Sequence, residues 1–145
     1  MLKYTKSAVE TEAVGASLAR QLEDDGVKRA FIAMRGEMGV GKTAFARGFA
    51  SHFGISGVKS PTYTIVNEYR GRVRIFHFDM YRITNGDDLY SIGYDDYVEA
   101  EGYCIAEWSE NIENDIPHDA IFVTISRTDD AEGRRIEIYY ENTCI

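Results

Sequence analysis

The chain has 145 residues, 44% of them hydrophobic and 28% charged, with 2 prolines; this excludes the disordered and collagen-like classes and fits one globular unit with a single core. Formal net charge is -8, and no Lys or Arg occurs between Ile83 and Asp119, so the chain is a poor candidate for bulk binding of nucleic-acid phosphates. The N-terminus lacks the apolar core of a secretory signal, and no apolar run approaches the roughly 18 residues of a membrane span. Both point to a cytoplasmic protein in which Cys104 and Cys144 are reduced and structural.

Residues 7–24 carry Val14, Leu18 and Leu22 at helical spacing with Ala19 beside them, an amphipathic helix. Its N-cap is either Ser7, with Glu10 three residues on, or Thr11. "KRAFIAMRG" (28–36) reads as a buried strand ending in glycine. From Lys42 a second helix repeats Phe45, Phe49 and Phe53 and stops at Gly54. "YTIVNEY" (63–69) and "RVRIFHFDMY" (72–81) alternate as strands and are joined too tightly to be parallel, so they form an antiparallel pair. The five basic residues of this region, from Lys59 to Arg82, touch an anion or an acidic partner, or blunt a strand edge. Residues 86–99 are acidic and helical in pieces, "GYCIAEW" (102–108) is a short strand reaching Glu107, and "AIFVTISRT" and "RRIEIYYEN" form a hairpin across "DDAEG". With the glycine-rich segment 36–43, a phosphate-loop pattern lying between the buried strand and the second helix, these predict a three-layer α/β, P-loop NTPase-like domain over residues 1–145, with a mixed central sheet.

The chemistry concentrates in "GEMGVGKTAF". Gly36-x-x-x-x-Gly41-Lys42-Thr43 is the phosphate-binding loop pattern, and it lies between a strand and a helix as that pattern requires. Gly39 and Gly41 let the backbone approach closely, so that successive N–H groups from Glu37 through Met38, Val40 and Ala44 can face phosphate oxygens. Lys42 is placed for the β- and γ-phosphates and the Thr43 hydroxyl for Mg²⁺. A chance match in a chain of this length is roughly a half-percent event. Hydrolysis also needs a carboxylate at a strand end, and two qualify: Asp79 after "RIFHF" and Glu107 after "YCIA". Thr62, in "KSPTYT", is either a γ-phosphate sensor or a strand start. Trp108, the single tryptophan, has packing as its default role, and His77, between Phe76 and Phe78, reads as a satisfied structural histidine; His52 and His118 show no partner. Tyr90, Tyr94 and Tyr97, set among acids, suit a protein interface.

"TEAVGASLA", "GEMGVGKTAFARGF", "VKSPTYTIVNEY", "HFDMYR" and "AEWSE" occur in that order and at the spacing of the TsaE family, also called YjeE, which the chain resembles from about Thr11 to Arg135. The phosphate loop is generic; "SPTYT", "HFDMYR" and "EWSE" together are specific. The resemblance implies an ATPase subunit that binds ATP with Mg²⁺, hydrolyses it slowly alone, and acts with TsaB and TsaD in transferring a threonylcarbamoyl group to adenosine 37 of tRNAs reading ANN codons. TsaD would hold the transfer chemistry and the tRNA contact would be indirect, with no role for a membrane. Position by position, it implies that Lys42 and Thr43 meet phosphate and metal, that Glu107 is the family's metal-associated glutamate, and that Asp79 is its conserved acid. Thr62 and Trp108 would line the nucleotide site, Thr11 would lie near the nucleotide, and Arg134 would flank the base. Ala44 departs from a frequent Thr or Ser, Ser109 from a common proline and Met80 from a common leucine.

Other readings make different demands. A small-molecule kinase would use the same loop but usually adds an arginine-rich lid, which residues 83–119 cannot supply. A signalling GTPase needs an N-K-x-D tetrapeptide that the chain lacks. A nucleotide-gated binding module without turnover would differ only in where Asp79, Glu107 and a water sit.

Overall fold

In the computed structural model, residues 1–61 and 65–140 are described; Thr62 and Cys144 lie outside them. The elements in chain order are β1 (Leu2–Thr5), α1 (Ala8–Asp24), β2 (Arg29–Arg35), α2 (Lys42–His52), β3 (Val66–Arg70), β4 (Arg74–Asp79), α3 (Gly86–Ser91), α4 (Tyr94–Glu99), β5 (Gly102–Glu107), a 3-10 stretch (Ser109–Asp115), β6 (Ile121–Arg127) and β7 (Arg134–Tyr140). The strands form one sheet in the order β1-β7-β6-β2-β5-β4-β3. Its centre is parallel, with β4, β5, β2 and β6 side by side, while β3, β7 and β1 are added antiparallel. The mixed sheet and the antiparallel β3–β4 pair agree with the sequence reading.

Alternation along the strands explains the layers. In β2, Ile32 and Met34 face the cluster built by Leu18 and Leu22 of α1 and Phe45 and Phe49 of α2. Phe31 and Ala33 face the opposite way, among Phe76, Phe78, Phe122, Leu89 of α3, Tyr94 of α4 and Ile112. A parallel strand covered on both faces must be apolar on both, which is why "AFIAM" reads as an unbroken run. Cys104 is free and buried in the second cluster, where burial pushes its thiol up to about 12.

The structure decides between the two N-cap candidates and supplies partners that the sequence did not show. Ser7 is the N-cap of α1, accepting from the Glu10 amide at 3.2 Å, while the Glu10 carboxylate accepts from the Lys6 amide. Thr11 is instead buried in the helix, its hydroxyl 2.8 Å from that of Thr5 in β1, a strand the sequence did not announce. His52, for which no partner was expected, meets the Glu23 carboxylate at 3.0 Å.

Helices α1 and α2 touch through glycine. A Cβ at Gly48 would fall 1.9 Å from the Glu12 carbonyl oxygen, and one at Gly15 would fall 2.2 Å from that of Phe45. Both obstacles are helix backbone, which cannot swing aside as a side chain can. Gly48→Ala is therefore expected to cost about 3 kcal/mol despite its better helix propensity. Urea unfolding would measure this; a loss below about 1 kcal/mol would show that the helices can separate cheaply.

Candidate nucleotide-binding site

The phosphate loop leaves the C-terminal end of β2 and enters α2 through Gly41, whose φ of 111° falls in the region favouring glycine; Gly39 has φ 78°. No side chain caps α2, so the first-turn N–H groups and the positive end of the helix dipole are left for a ligand. Lys42, the first helical residue, curls back so that Nζ donates to the Gly36 carbonyl at 2.7 Å and sits 3.8 Å from the centroid of the Trp108 ring. It is 4% exposed. Burial draws its pKa below the ordinary lysine value, against the opposing pull of Glu107, Glu110 and Asp79.

The carboxylates come from neighbouring strand ends, since Asp79 of β4 is in register with Glu107 of β5. Glu107 is buried and accepts from the Thr43 hydroxyl at 3.1 and 3.3 Å and from His77 Nε2 at 2.5 Å. Thr43 in turn lies 2.6 Å from the Ser60 hydroxyl. Asp79, less buried, accepts the Tyr81 amide at 3.0 Å through Oδ1. His77 is fully buried, and while its Nε2 meets Glu107 its Nδ1 has no hydrogen-bond partner. Trp108 follows Glu107 at φ 59°, a left-handed conformation that a bulky residue rarely adopts. This strained backbone directs its ring over Lys42.

Two clefts flank the loop. One, of about 410 Å³, is lined by Met38, Lys42, Thr43, Asp79, Glu107 and Trp108 among others. The second, of about 260 Å³, is lined by Ser7, Thr11, Val40, Glu132 and Arg134, and both clefts share Gly39, Gly41 and Ala44. Thus Lys42, Thr43, Asp79, Glu107 and Trp108 converge on one side, and Thr11 and Arg134 on the other. Val40 contributes backbone only, since its side chain belongs to the core. Glu37 is exposed and lines neither cleft.

Sequence reasoning missed His77, Ser60 and the contact that Ser109 makes. His77 was visible as a polar residue in an apolar strand, a signal of a buried partner. The Ser109 hydroxyl donates to the Met34 carbonyl at 3.0 Å, tying the turn after Trp108 to the base of the phosphate loop, a bond that a proline there would lack. The residues fit a nucleotide with a divalent cation: an uncapped helix start, a buried ammonium, and a hydroxyl hydrogen-bonded to a carboxylate. Among the described residues no group of three or more His, Cys, Asp or Glu is placed to hold a metal ion.

A parallel-centred sheet with a glycine loop feeding a helix, and two acids at adjacent strand ends, defines a P-loop nucleotide-binding protein. Residues 5–136 match the family described as "Threonylcarbamoyl adenosine biosynthesis protein TsaE". The chain is 34% identical over 132 residues to the tRNA threonylcarbamoyladenosine biosynthesis protein TsaE of Treponema pallidum, covering 90% of this chain and 93% of that one. It is 38% identical over 103 residues to the TsaE of Bacillus subtilis, covering 70% of this chain and 64% of that one, and 40% identical over 114 residues to the TsaE of Haemophilus influenzae, covering 77% and 70%. The crystal structure of Bacillus subtilis YdiB superposes with a TM-score of 0.74 at 28% identity, over 94% of this chain and 82% of that one. The chain belongs to the TsaE family, P-loop ATPases of threonylcarbamoyladenosine biosynthesis. Among the described residues no helix is long and apolar enough to cross a membrane.

Proposed function

We propose that residues 1–145 act as one P-loop domain that hydrolyses ATP in a Mg²⁺-dependent manner, slowly alone and faster with TsaB and TsaD homologues, in threonylcarbamoyladenosine modification of adenosine 37 in tRNAs reading ANN codons. The observation that carries this is the convergence of Lys42, Thr43, Asp79 and Glu107 at the uncapped start of α2. Lys42 and the first-turn N–H groups bind phosphate oxygens. Thr43 and Glu107 hold the metal, which when bound neutralises charge spread over the β- and γ-phosphates. His77 fixes the Glu107 carboxylate from behind, and Asp79, the less buried acid, orients water. Trp108 and Met38 wall the phosphate side, and Thr11, Ala44 and Arg134 receive the nucleoside. Thr62, outside the described residues, reports the γ-phosphate.

The acidic surface is consistent with a cytoplasmic subunit that leaves tRNA to its partners. A kinase lid finds no support, because residues of α3 and α4 pack on the far sheet face and none lines either cleft. The test is steady-state ATP hydrolysis by the purified chain with Mg²⁺, with EDTA, and with a TsaB–TsaD pair. Slow Mg²⁺-dependent turnover that the pair accelerates is expected. Turnover indifferent to the pair would overturn the subunit assignment.

A further inference from the structure

Arg127 of β6 and Arg134 of β7 stand directly opposite each other in the hairpin register. Like charges so placed repel and weaken a strand pair, and a chain of net charge -8 has carboxylates to spare for neutralising them. Yet every hydrogen bond of these guanidiniums among the described residues goes to backbone carbonyls. Arg127 Nη2 donates to the Met38 carbonyl at 3.1 Å. Arg134 Nε donates to the Val40 carbonyl at 2.7 Å, and its Nη1 donates to Ala131 and Gly133 in the hairpin turn. The acceptors in the phosphate loop, Met38 and Val40, are alternate residues, and each precedes a positive-φ glycine, Gly39 or Gly41.

No peptide bond in the described chain is cis. In a trans peptide the carbonyl and the following N–H point in opposite directions. A guanidinium holding the Met38 carbonyl thereby turns the Gly39 N–H away from itself, and one holding the Val40 carbonyl does the same for Gly41. Gly39 and Gly41 line both clefts, so these are N–H groups that a polyphosphate would meet. We infer that Arg127 and Arg134 are positioning residues that brace the phosphate loop from outside, holding its amides ready for an anion before any ligand arrives. The inference rests on the nucleotide reading above and deepens it: the hairpin β6–β7 bears the ordering cost of a loop that glycine would otherwise leave mobile. Arg134 then acts on the loop as well as flanking the base.

The test uses the full chain without nucleotide, comparing wild type, Arg127→Ala, Arg134→Ala and the double variant. Backbone ¹⁵N order parameters for Gly39, Val40 and Gly41 are expected to lie near the rigid value of about 0.85 in wild type and to fall below about 0.6 in the double variant, with sheet amides unchanged. Affinities for ATP and for inorganic tripolyphosphate are expected to weaken together, about tenfold in the double variant. Weakened affinity with unchanged order parameters would mean that the arginines merely attract phosphate, and the brace would be wrong. Loss of ATP affinity with tripolyphosphate unaffected would reduce them to base contacts and also overturn it. Should the double variant fail to fold, Arg127→Ala, at an exposed position, carries the same readout. Wild type that binds no ATP would remove the nucleotide reading but leave the order-parameter comparison standing.

Discussion

Lys42→Ala is expected to weaken ATP binding at least about a hundredfold and to abolish turnover, because one buried ammonium making charge-assisted contacts to two phosphates contributes on the order of 3 kcal/mol or more. The variant should nevertheless fold. Lys42 is 4% exposed, and burial already pulls its pKa down, so the folded state bears the cost of a desolvated cation in the absence of ligand. Removing it gives up one hydrogen bond to the Gly36 carbonyl and the stacking on Trp108, but also removes that cost. The melting temperature without nucleotide should therefore stay within a few degrees of wild type, while the stabilisation that ATP confers on wild type by mass action should vanish. Thermal scans with and without Mg-ATP separate the two effects. A variant still stabilised by ATP would refute the placement of Lys42 on phosphate.

Glu107→Ala should behave differently, leaving nucleotide binding within about tenfold of wild type and lowering turnover by about 10² to 10³, the usual cost of removing one charge-stabilising group from a reacting centre. It also carries a structural penalty. The Glu107 carboxylate receives both the Thr43 hydroxyl and His77 Nε2. His77 is fully buried and its Nδ1 already lacks a partner, so the alanine variant strands the whole ring at a cost of about 1–3 kcal/mol. Glu107→Gln keeps an oxygen for one of the two donors while removing the charge, so it should recover much of the stability and little of the turnover. Single-turnover hydrolysis beside urea unfolding would read both. If the glutamine variant hydrolyses ATP normally, the metal-associated role of Glu107 fails.

The sequence alone determined the phosphate loop, the two long helices, the β3–β4 and β6–β7 pairings, both candidate acids and, through "SPTYT", "HFDMYR" and "EWSE", the family. These are local signals: glycine spacing, periods of 3.6 and 2, short turns and contiguous segments each carry their meaning within a few residues. The tertiary structure decided what depends on residues far apart in the chain. Strand β1 is four residues long and largely exposed, and it exists because β7 pairs with it from the other end of the chain. Thr11 was open as a helix cap until Thr5 of that strand claimed its hydroxyl. His77 looked like a satisfied core histidine until β4 and β5 were set side by side and its Nε2 met Glu107. Arg127 carried no motif, and Arg134 only an implied place beside the base; only the fold brings the hairpin against the phosphate loop and makes the two repelling charges donors to loop carbonyls. A side chain's chemistry is written in the sequence, but its partner is chosen by the path of the backbone, and that path is fixed by burial summed over the whole sheet.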